Sequence, residues 1–126
     1  MSVAEQIFTR LSTDAAVSAL VSNRIYPNHF KQQDILPAVR YTRISSVQYH
    51  TMGVDVPLER ARFQIDVISD IYSQADETAT AVKDAMRRWS ESGVQDTFIV
   101  SDADIYDHET NLHRTRIDIE IIVENP

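Results

Sequence analysis

The residues best suited to chemistry stand near the end of the chain, where two histidines flank a short polar string. His108 and His113 lie five positions apart. A helical zinc-binding pair needs a separation of four, so that both imidazoles project from the same face of the helix. This string also falls in a predicted turn and strand, not on a helix. We interpret it as a solvated hairpin turn, and it predicts no metal site.

An acidic string just before the histidines could in principle hold a hard cation. Asp102, Asp104 and Asp107 are close in sequence, and Ca²⁺ and Mg²⁺ prefer clustered carboxylates. The spacing differs from that of a calcium-binding loop, because no acid stands two positions beyond Asp104 and no glycine allows the sharp turn. We interpret the string as the acidic end of a strand that runs into a turn.

Catalytic nucleophiles are not indicated. A reactive serine or threonine needs a neighbouring base and, in many enzymes, a glycine-bearing turn. The chain has only Gly53 and Gly93 and no cysteine, which excludes glycine-rich phosphate loops, thiolate metal sites and disulfide bonds. Asp66 and Asp118 could face each other on adjacent strands, but alternating acids are common on the solvent side of a sheet. The sequence therefore predicts no catalytic residue, no cofactor and no metal.

Composition limits the class of protein further. The 126 residues include 12 Lys and Arg against 19 Asp and Glu, so the net charge is −7. An acidic chain is poorly suited to tight binding of nucleic acid, where cations must replace the counterions of the phosphates. We expect one domain spanning residues 1–126. No apolar run is long enough for a membrane span, and residues 1–6 lack the pattern of a secretion signal, so we expect a cytoplasmic protein.

Two short helices are predicted at the start of the chain. Ser2 and Glu5 have the spacing of a capping box, and an apolar stripe follows them. A break near Ser12 is predicted, because Asp14, with Thr13, can cap a second helix that ends near residue 23.

The third helix has the strongest periodicity. Ser73 with Asp76 is predicted to cap it, and apolar residues then recur every three or four positions as far as Trp89. Gly93 stands where a glycine would end the helix. Arg87 and Arg88 complement the carboxyl end of its dipole.

The remaining periodic segments alternate between apolar and polar residues and predict four strands. The first strand loses its phase at Arg43, which a bulge near Ser45 and Ser46 would restore. A short extended piece at 24–26 is predicted inside a loop. The strands are expected at about 36–49, 60–67, 95–106 and 112–124.

The element order α-α-β-β-α-β-β predicts an α+β fold, in which a mainly antiparallel four-stranded sheet has helices packed on one face. The other face would be open and would carry a mixture of charges suited to cross-strand pairs or to another subunit. The residues predicted on this exposed sheet face are Arg62, Gln64, Asp66, Arg114, Arg116, Asp118 and Glu120.

The connection between the first two strands is predicted to be an extended hairpin arm near residues 47–58 that projects from the domain. The segment around Gly53 is too long for a tight turn. A core of this size cannot easily cover its aromatic, Met and Val side chains, and such side chains are enriched in interface cores. The candidate subunit-interface residues are Tyr49, Met52, Val54 and Val56.

Several short strings, taken in their order, resemble a known family. They are RIYP at 24–27, LPAVRYTRIS at 36–45, RFQIDV at 62–67, IYSQA at 71–75, DIYD at 104–107 and LHR at 112–114. Together they make the chain similar, over about residues 3–123, to the small tail-completion or tail-terminator proteins of long-tailed bacteriophages and prophages. This family includes, by fold, the minor tail protein U of phage lambda.

The resemblance implies a non-enzymatic structural protein of the virion. Such proteins form a ring, commonly a hexamer, on the head-proximal end of the tail tube, and free subunits can be monomers. The implied partners are other copies of the chain, the tail tube protein and the head-tail connector proteins, while DNA passes through the ring without specific binding. Assembly in the bacterial cytoplasm is implied, with no membrane partner.

Two other interpretations remain open at this stage. A neck or head-completion subunit of the same virion would share the ring architecture. A small-ligand-binding α+β module belongs to a different class and would require a concave apolar pocket with convergent polar groups.

Overall fold

The computed structural model describes residues 3–22, 24–28, 35–51, 54–91 and 93–124, with side chains omitted at 49–51 and 54–57. No helix in these ranges has the length and apolarity needed to cross a membrane. The helices are α1 (Val3–Thr13), α2 (Ala15–Val21) and α3 (Tyr72–Met86). The strands are β1 (Ile25–Pro27), β2 (Ala38–Thr51), β3 (Val54–Ser69), β4 (Val94–Asp107) and β5 (Leu112–Glu124).

The strands form one mixed sheet with the order β1-β2-β3-β5-β4. Strands β2, β3, β5 and β4 are antiparallel neighbours in that order, whereas β1 runs parallel to β2, with Ile25 beside Val39.

The predicted α+β class is confirmed. The predicted count of four strands, and the order that followed from it, are wrong because the extended piece at 24–26 belongs to a fifth strand. Three residues are too few to display an alternating pattern, and their partner strand is distant in sequence.

The helices cover one face of the sheet, and the core lies between the two layers. Strands β3 and β5 supply alternate buried side chains, as their period-two patterns predict. Phe63 on β3 is paired in register with Ile119 on β5, and Met86 on α3 is fully buried. The other large core residues include Ile7, Leu11, Val17, Val21, Val39, Ile65, Val67, Val82, Ile117 and Ile121.

Asp14 separates α1 from α2, as predicted. Its carboxylate accepts hydrogen bonds from the backbone N–H groups of Ala16 and Val17, both at 3.1 Å. These contacts satisfy two donors that a helix cannot satisfy internally. The predicted cap of α1 at Ser2 lies outside the described residues.

Replacement of Asp14 by alanine is expected to lower the free energy of unfolding by about 1 kcal/mol, because two helix-terminal donors lose their acceptor. Urea unfolding followed by circular dichroism measures the loss. The matched control is Asp84→Ala, since Asp84 is exposed and pairs with Arg87 at 3.1 Å on the helix surface; its expected cost is below about 0.5 kcal/mol. Equal losses for the two variants would contradict the capping role.

The ends of α3 differ from the prediction. The helix begins at Tyr72, so Ser73 lies inside it, and its N-cap, Ile71, has no side-chain hydrogen bond. Ser69 assists instead: its hydroxyl accepts from the Ile71 N–H at 3.2 Å.

At the other end the helix stops at Met86, well before Gly93. Trp89 is buried, but it packs from the turn after the helix and not from the helical stripe. Gly93 has a φ of 87° in the turn that leads into β4, a conformation that favours glycine. The backbone N–H of Glu124 donates to the Gly93 carbonyl at 2.9 Å, which ties this turn to β5.

Strands β2 and β3 form a long hairpin. The register shifts between Arg43 and Ser45, so a bulge at Ile44 confirms the predicted irregularity within one residue. Pairing continues until Thr51 faces Val54. Only two residues then connect the strands, so the expectation that this connection is too long for a tight turn is wrong.

Candidate subunit interfaces

The histidine string lies in the turn between β4 and β5. Tyr106 contacts both His108 and His113, with ring centroids 4.9 Å apart in each case. The Asp107 carboxylate accepts from the Glu109 N–H at 3.0 Å, and this bond is the main reason that the pKa of Asp107 is lowered. Within the described ranges, no group of three or more His, Asp and Glu side chains could hold a metal ion.

The acidic string on β4 attaches α3 to the sheet. Asp102 pairs with Lys83 of α3 at 2.7 Å. Asp104 accepts from the Thr115 hydroxyl at 2.9 Å and from the Tyr72 hydroxyl at 3.2 Å. These acids therefore make contacts between elements, in agreement with the interpretation as part of a strand.

The Asp104 carboxylate raises the pKa of Tyr72 above its ordinary value of 10.0, because its negative charge and its hydrogen bond both oppose loss of the phenolic proton. We expect Asp104→Asn to return this pKa towards 10.0. Asp102→Asn, two positions away on β4, is the control and should leave the Tyr72 pKa unchanged. NMR titration of the Tyr72 ring carbon measures both variants, and an equal response would contradict the assignment to Asp104.

The sheet face without helices, which we call the open face, contains the seven residues predicted for it, as the register of β3 and β5 shows. Arg62 is exposed, and the others except one are half-buried. The exception is Asp66, whose exposed fraction is 0%. Its predicted exposure is wrong, because long side chains on both neighbouring strands cover it. The half-buried residues are Gln64, Arg114, Arg116, Asp118 and Glu120.

Asp66 is the centre of a polar cluster. Arg40 on β2 lies in register with it and donates from Nε at 3.0 Å and also from Nη2. The Gln64 amide donates to both carboxylate oxygens, at 3.3 and 3.1 Å. Arg114 on β5 approaches to 3.8 Å, which is too far for a hydrogen bond. A buried carboxylate needs such partners to remain charged.

A second cluster lies nearer the hairpin. Glu120 faces Arg60 at 3.5 Å and Arg62 at 3.7 Å. These residues, with Ser45 and Val47, line a shallow pocket of about 200 Å³. Ion pairs of this length and exposure contribute little to stability, so both arginines can exchange their partner for one on another chain.

Two pairs of exposed apolar side chains accompany these charges. Ile44 and Val47 on β2 are 52% and 47% exposed. On β4, Phe98 is 41% exposed, close to Val100, and the Arg88 guanidinium lies 5.2 Å from the centre of the Phe98 ring. Sequence alternation did not identify these residues as candidates, because bulges in β2 and β4 change which face each residue occupies.

The predicted interface residues of the hairpin are only partly described. Tyr49 lies in β2, and Val54 and Val56 lie in β3, but their side chains and all of Met52 fall outside the described residues. Ile44 and Val47, at the base of the same hairpin, are described and exposed. The open face and this hairpin are therefore the candidate functional surfaces, and neither contains a described catalytic constellation.

Comparison with known proteins supports a function in assembly. The profile of the family described as Tail completion protein gp17 matches residues 5–124, which is nearly the whole chain. The chain belongs to this family. This finding confirms the resemblance to phage tail-completion proteins that the short sequence strings indicated. A search of curated proteins finds no match.

Among solved structures, this tail completion protein is similar to a chain in the structure described as "Virion of native gene transfer agent (GTA) particle". The TM-score is 0.77 at 17% sequence identity, and the match covers 94% of this chain and 92% of the other. The two chains therefore share a fold. With the family match, this supports a structural protein of a phage virion that acts in tail completion.

Proposed function

We propose that this protein forms a ring on the head-proximal end of the tail tube, stops tail polymerisation and provides the surface to which the head connector binds. Membership of the tail completion family supports this proposal. The observation that carries it is the hairpin of β2 and β3, which extends beyond the strands beside it. Among the described residues, no third strand lies beside its free end.

The register shows how far the hairpin extends. Strand β5 ends opposite Leu58, and β1 pairs with β2 only as far as Tyr41. The part of the hairpin beyond Leu58, which is the segment from Tyr49 to the tip on β2, therefore has two strands and no described third strand. An isolated two-stranded hairpin is marginally stable in water. Contact with another subunit would stabilise it, which supports a projecting arm near residues 47–58 within one domain.

Ring closure requires two different surfaces on each subunit, because a head-to-tail contact is heterologous. In our proposal the arm supplies one surface, through Tyr49, Met52, Val54 and Val56, and contacts the sheet of the next subunit. The exposed side chains of Ile44 and Val47 extend this surface to the base of the arm. A hexamer is proposed for the assembled tail, and monomers are compatible with free protein.

The charge of the chain suits a ring through which DNA passes. Each copy carries −7, so a ring accumulates a strong negative field, which repels phosphate and limits adhesion of DNA to the channel. We therefore expect no tight binding of duplex DNA at about 0.15 M salt. Tight binding under these conditions, measured by fluorescence anisotropy, would contradict this part of the proposal.

A double variant tests the arm. Met52→Asp with Val54→Asp places two charges where apolar contacts are proposed. The fraction of the protein that is oligomeric should therefore fall at least about tenfold, whether the oligomers form on tail tubes or in concentrated protein. Ile71→Asp is the control, because Ile71 is exposed at the N-cap of α3, outside the arm and the open face, and aspartate is well tolerated at an N-cap. Sedimentation velocity measures the oligomers. An unchanged population in the double variant would remove the arm from the interface.

Tail length tests the function itself. Tails assembled without this protein should be overlong tubes, whereas tails assembled with it should have a defined length and a cap at one end. Negative-stain microscopy distinguishes the two results. If the protein attaches to filled heads and leaves tail length unchanged, it is a neck or head-completion subunit instead.

A further inference from the structure

Arg114 has a polar atom that the described chain does not satisfy. Its Nε is buried and has no hydrogen-bond acceptor among the described residues. The nearest carboxylate oxygen, Oδ1 of Asp66, lies 3.8 Å away. A buried donor without an acceptor is unfavourable, so an acceptor that approached Arg114 would be stabilising.

Asp66 does not supply that acceptor in this arrangement. Its Oδ2 receives hydrogen bonds from Arg40 and from the Gln64 amide, whereas Oδ1 receives one long bond from Gln64 at 3.3 Å and stays 3.8 Å from Arg114 Nε. Movement of the Asp66 carboxylate towards Arg114 would lengthen the bonds to Oδ2. The Arg114 guanidinium therefore lies beside a carboxylate that other donors hold in place.

Arg114 lines a cleft of about 380 Å³. Arg40 lines the same cleft, as do Asp107 and His108 at the β4–β5 turn. Ile68 and Ile105 supply apolar wall. The Nε atom itself is buried, but the side chain of Arg114 as a whole is 34% exposed, so a group in the cleft can contact the exposed part of this side chain from solvent.

We propose that this cleft is a carboxylate-binding site, and that its occupant in the assembled ring is an Asp or Glu side chain of a second copy of this chain. The planar fork of a guanidinium matches the two oxygens of a carboxylate. Two arginines line the cleft, but Asp107 also lines it and Asp66 lies beside it. Because Arg40 is already paired with Asp66, Arg114 is the cation available to a ligand, and a single guanidinium suits a singly charged carboxylate better than a phosphate dianion.

A second copy is well equipped to supply the carboxylate. Exposed acids are abundant on the helical side of the chain, where Asp76, Glu77 and Asp84 on α3 are all exposed. A head-to-tail contact brings a different surface of the neighbour to the open face, so it can place an acid from the helical side in the cleft. The identification of a second copy as the occupant rests on the proposed ring, whereas the carboxylate site itself is a property of the single chain.

The site is tested on the full chain by replacing chloride with acetate at constant sodium concentration. NMR follows the arginine Nε–Hε signals and the backbone N–H signals of the residues that line the cleft, and the backbone signals report on acetate binding in the variants. Saturable shifts are expected for Arg114, and Arg114→Lys should weaken acetate binding about tenfold, since the fork is lost but the charge remains. Arg116→Lys is the control, because Arg116 lies two positions along the same strand and does not line the cleft.

The wild-type signals alone can overturn the site, whether or not the lysine variant folds. An acetate-induced chemical-shift change at Arg114 no larger than that at Arg116 would contradict the site, and tighter binding of inorganic phosphate than of acetate would contradict the carboxylate assignment.

The occupant is tested by sedimentation velocity. Acetate and Arg114→Lys should each weaken self-association, whereas Arg116→Lys should not. If neither acetate nor Arg114→Lys changes self-association, or if the wild-type chain stays monomeric, a second copy is excluded as the occupant. Tail length tests the ring function independently.

Discussion

Replacement of Phe63 by alanine is expected to lower the free energy of unfolding by about 3–5 kcal/mol, because a large core side chain is lost and the cavity left behind cannot fully collapse. Phe63 is 1% exposed and lies in the middle of β3, between β2 and β5. A domain of this size typically has a free energy of unfolding of about 5–15 kcal/mol. The variant should therefore lose a large part of its stability.

Phe98 provides the matched control for this experiment. It has the same side chain on β4, but it is 41% exposed, and the Arg88 guanidinium lies 5.2 Å from the centre of its ring. Its replacement by alanine should cost no more than about 1 kcal/mol. Urea unfolding of both variants measures the difference in the free energy of unfolding, with one common slope for its dependence on urea concentration. Similar losses at the two positions would mean that the Phe63 side chain is not packed in the core between the sheet and the helices.

The contrast between the two phenylalanines shows what local sequence can predict. Strict alternation identifies Phe63 as a core residue, because its strand has neighbours on both sides and one face under the helices. Phe98 belongs to an edge strand with two bulges, and each bulge shifts the alternation by one residue. Patterns therefore predict central strands well and edge strands poorly.

The missed features have different physical causes. Strand β1 forms because residues 25–27 pair with β2 in the folded chain, so a tertiary contact overrides the local signal that predicted a loop. The start of α3 was missed for a local reason. The hydroxyl of Ser69, two residues before Ile71, accepts from the Ile71 N–H, whereas the sequence pattern had placed the cap at Ser73.

For the candidate surfaces too, local alternation predicted some properties and long-range contacts determined others. The alternation of β3 and β5 predicted the composition of the open face, since every predicted residue lies on it. It could not predict which of these residues are covered. Coverage depends on side chains from other strands, here Arg40 of β2 over Asp66 of β3, and on the cleft beside the β4–β5 turn.

Replacement of Asp66 by alanine is expected to lower the free energy of unfolding by about 3 kcal/mol. The loss arises because Arg40 keeps its charge in a largely covered position without its partner. The side chain of Arg40 is 21% exposed and that of Asp66 is fully buried. Partial access of Arg40 to water keeps the expected loss at the lower end of the range for buried pairs.

Asp118 is the control for Asp66, because it lies on the same face, on the adjacent strand, and is half-buried. Its carboxylate accepts from the Ser101 hydroxyl at 3.1 Å, so Asp118→Ala should cost about 1 kcal/mol or less. Thermal or urea unfolding measures both variants. Equal costs would show that Asp66 is not the centre of the cluster.

A double-mutant cycle isolates the interaction between Asp66 and Arg40. If the charge left on Arg40 causes the loss, then Arg40→Met in the Asp66→Ala background should be less destabilising than in the wild-type chain, with a coupling of about 1–3 kcal/mol. Additive losses would instead assign the cost of Asp66→Ala to its contacts with Gln64 and Arg114. In that case the guanidinium of Arg114, and not that of Arg40, would depend on Asp66 for its position beside the cleft.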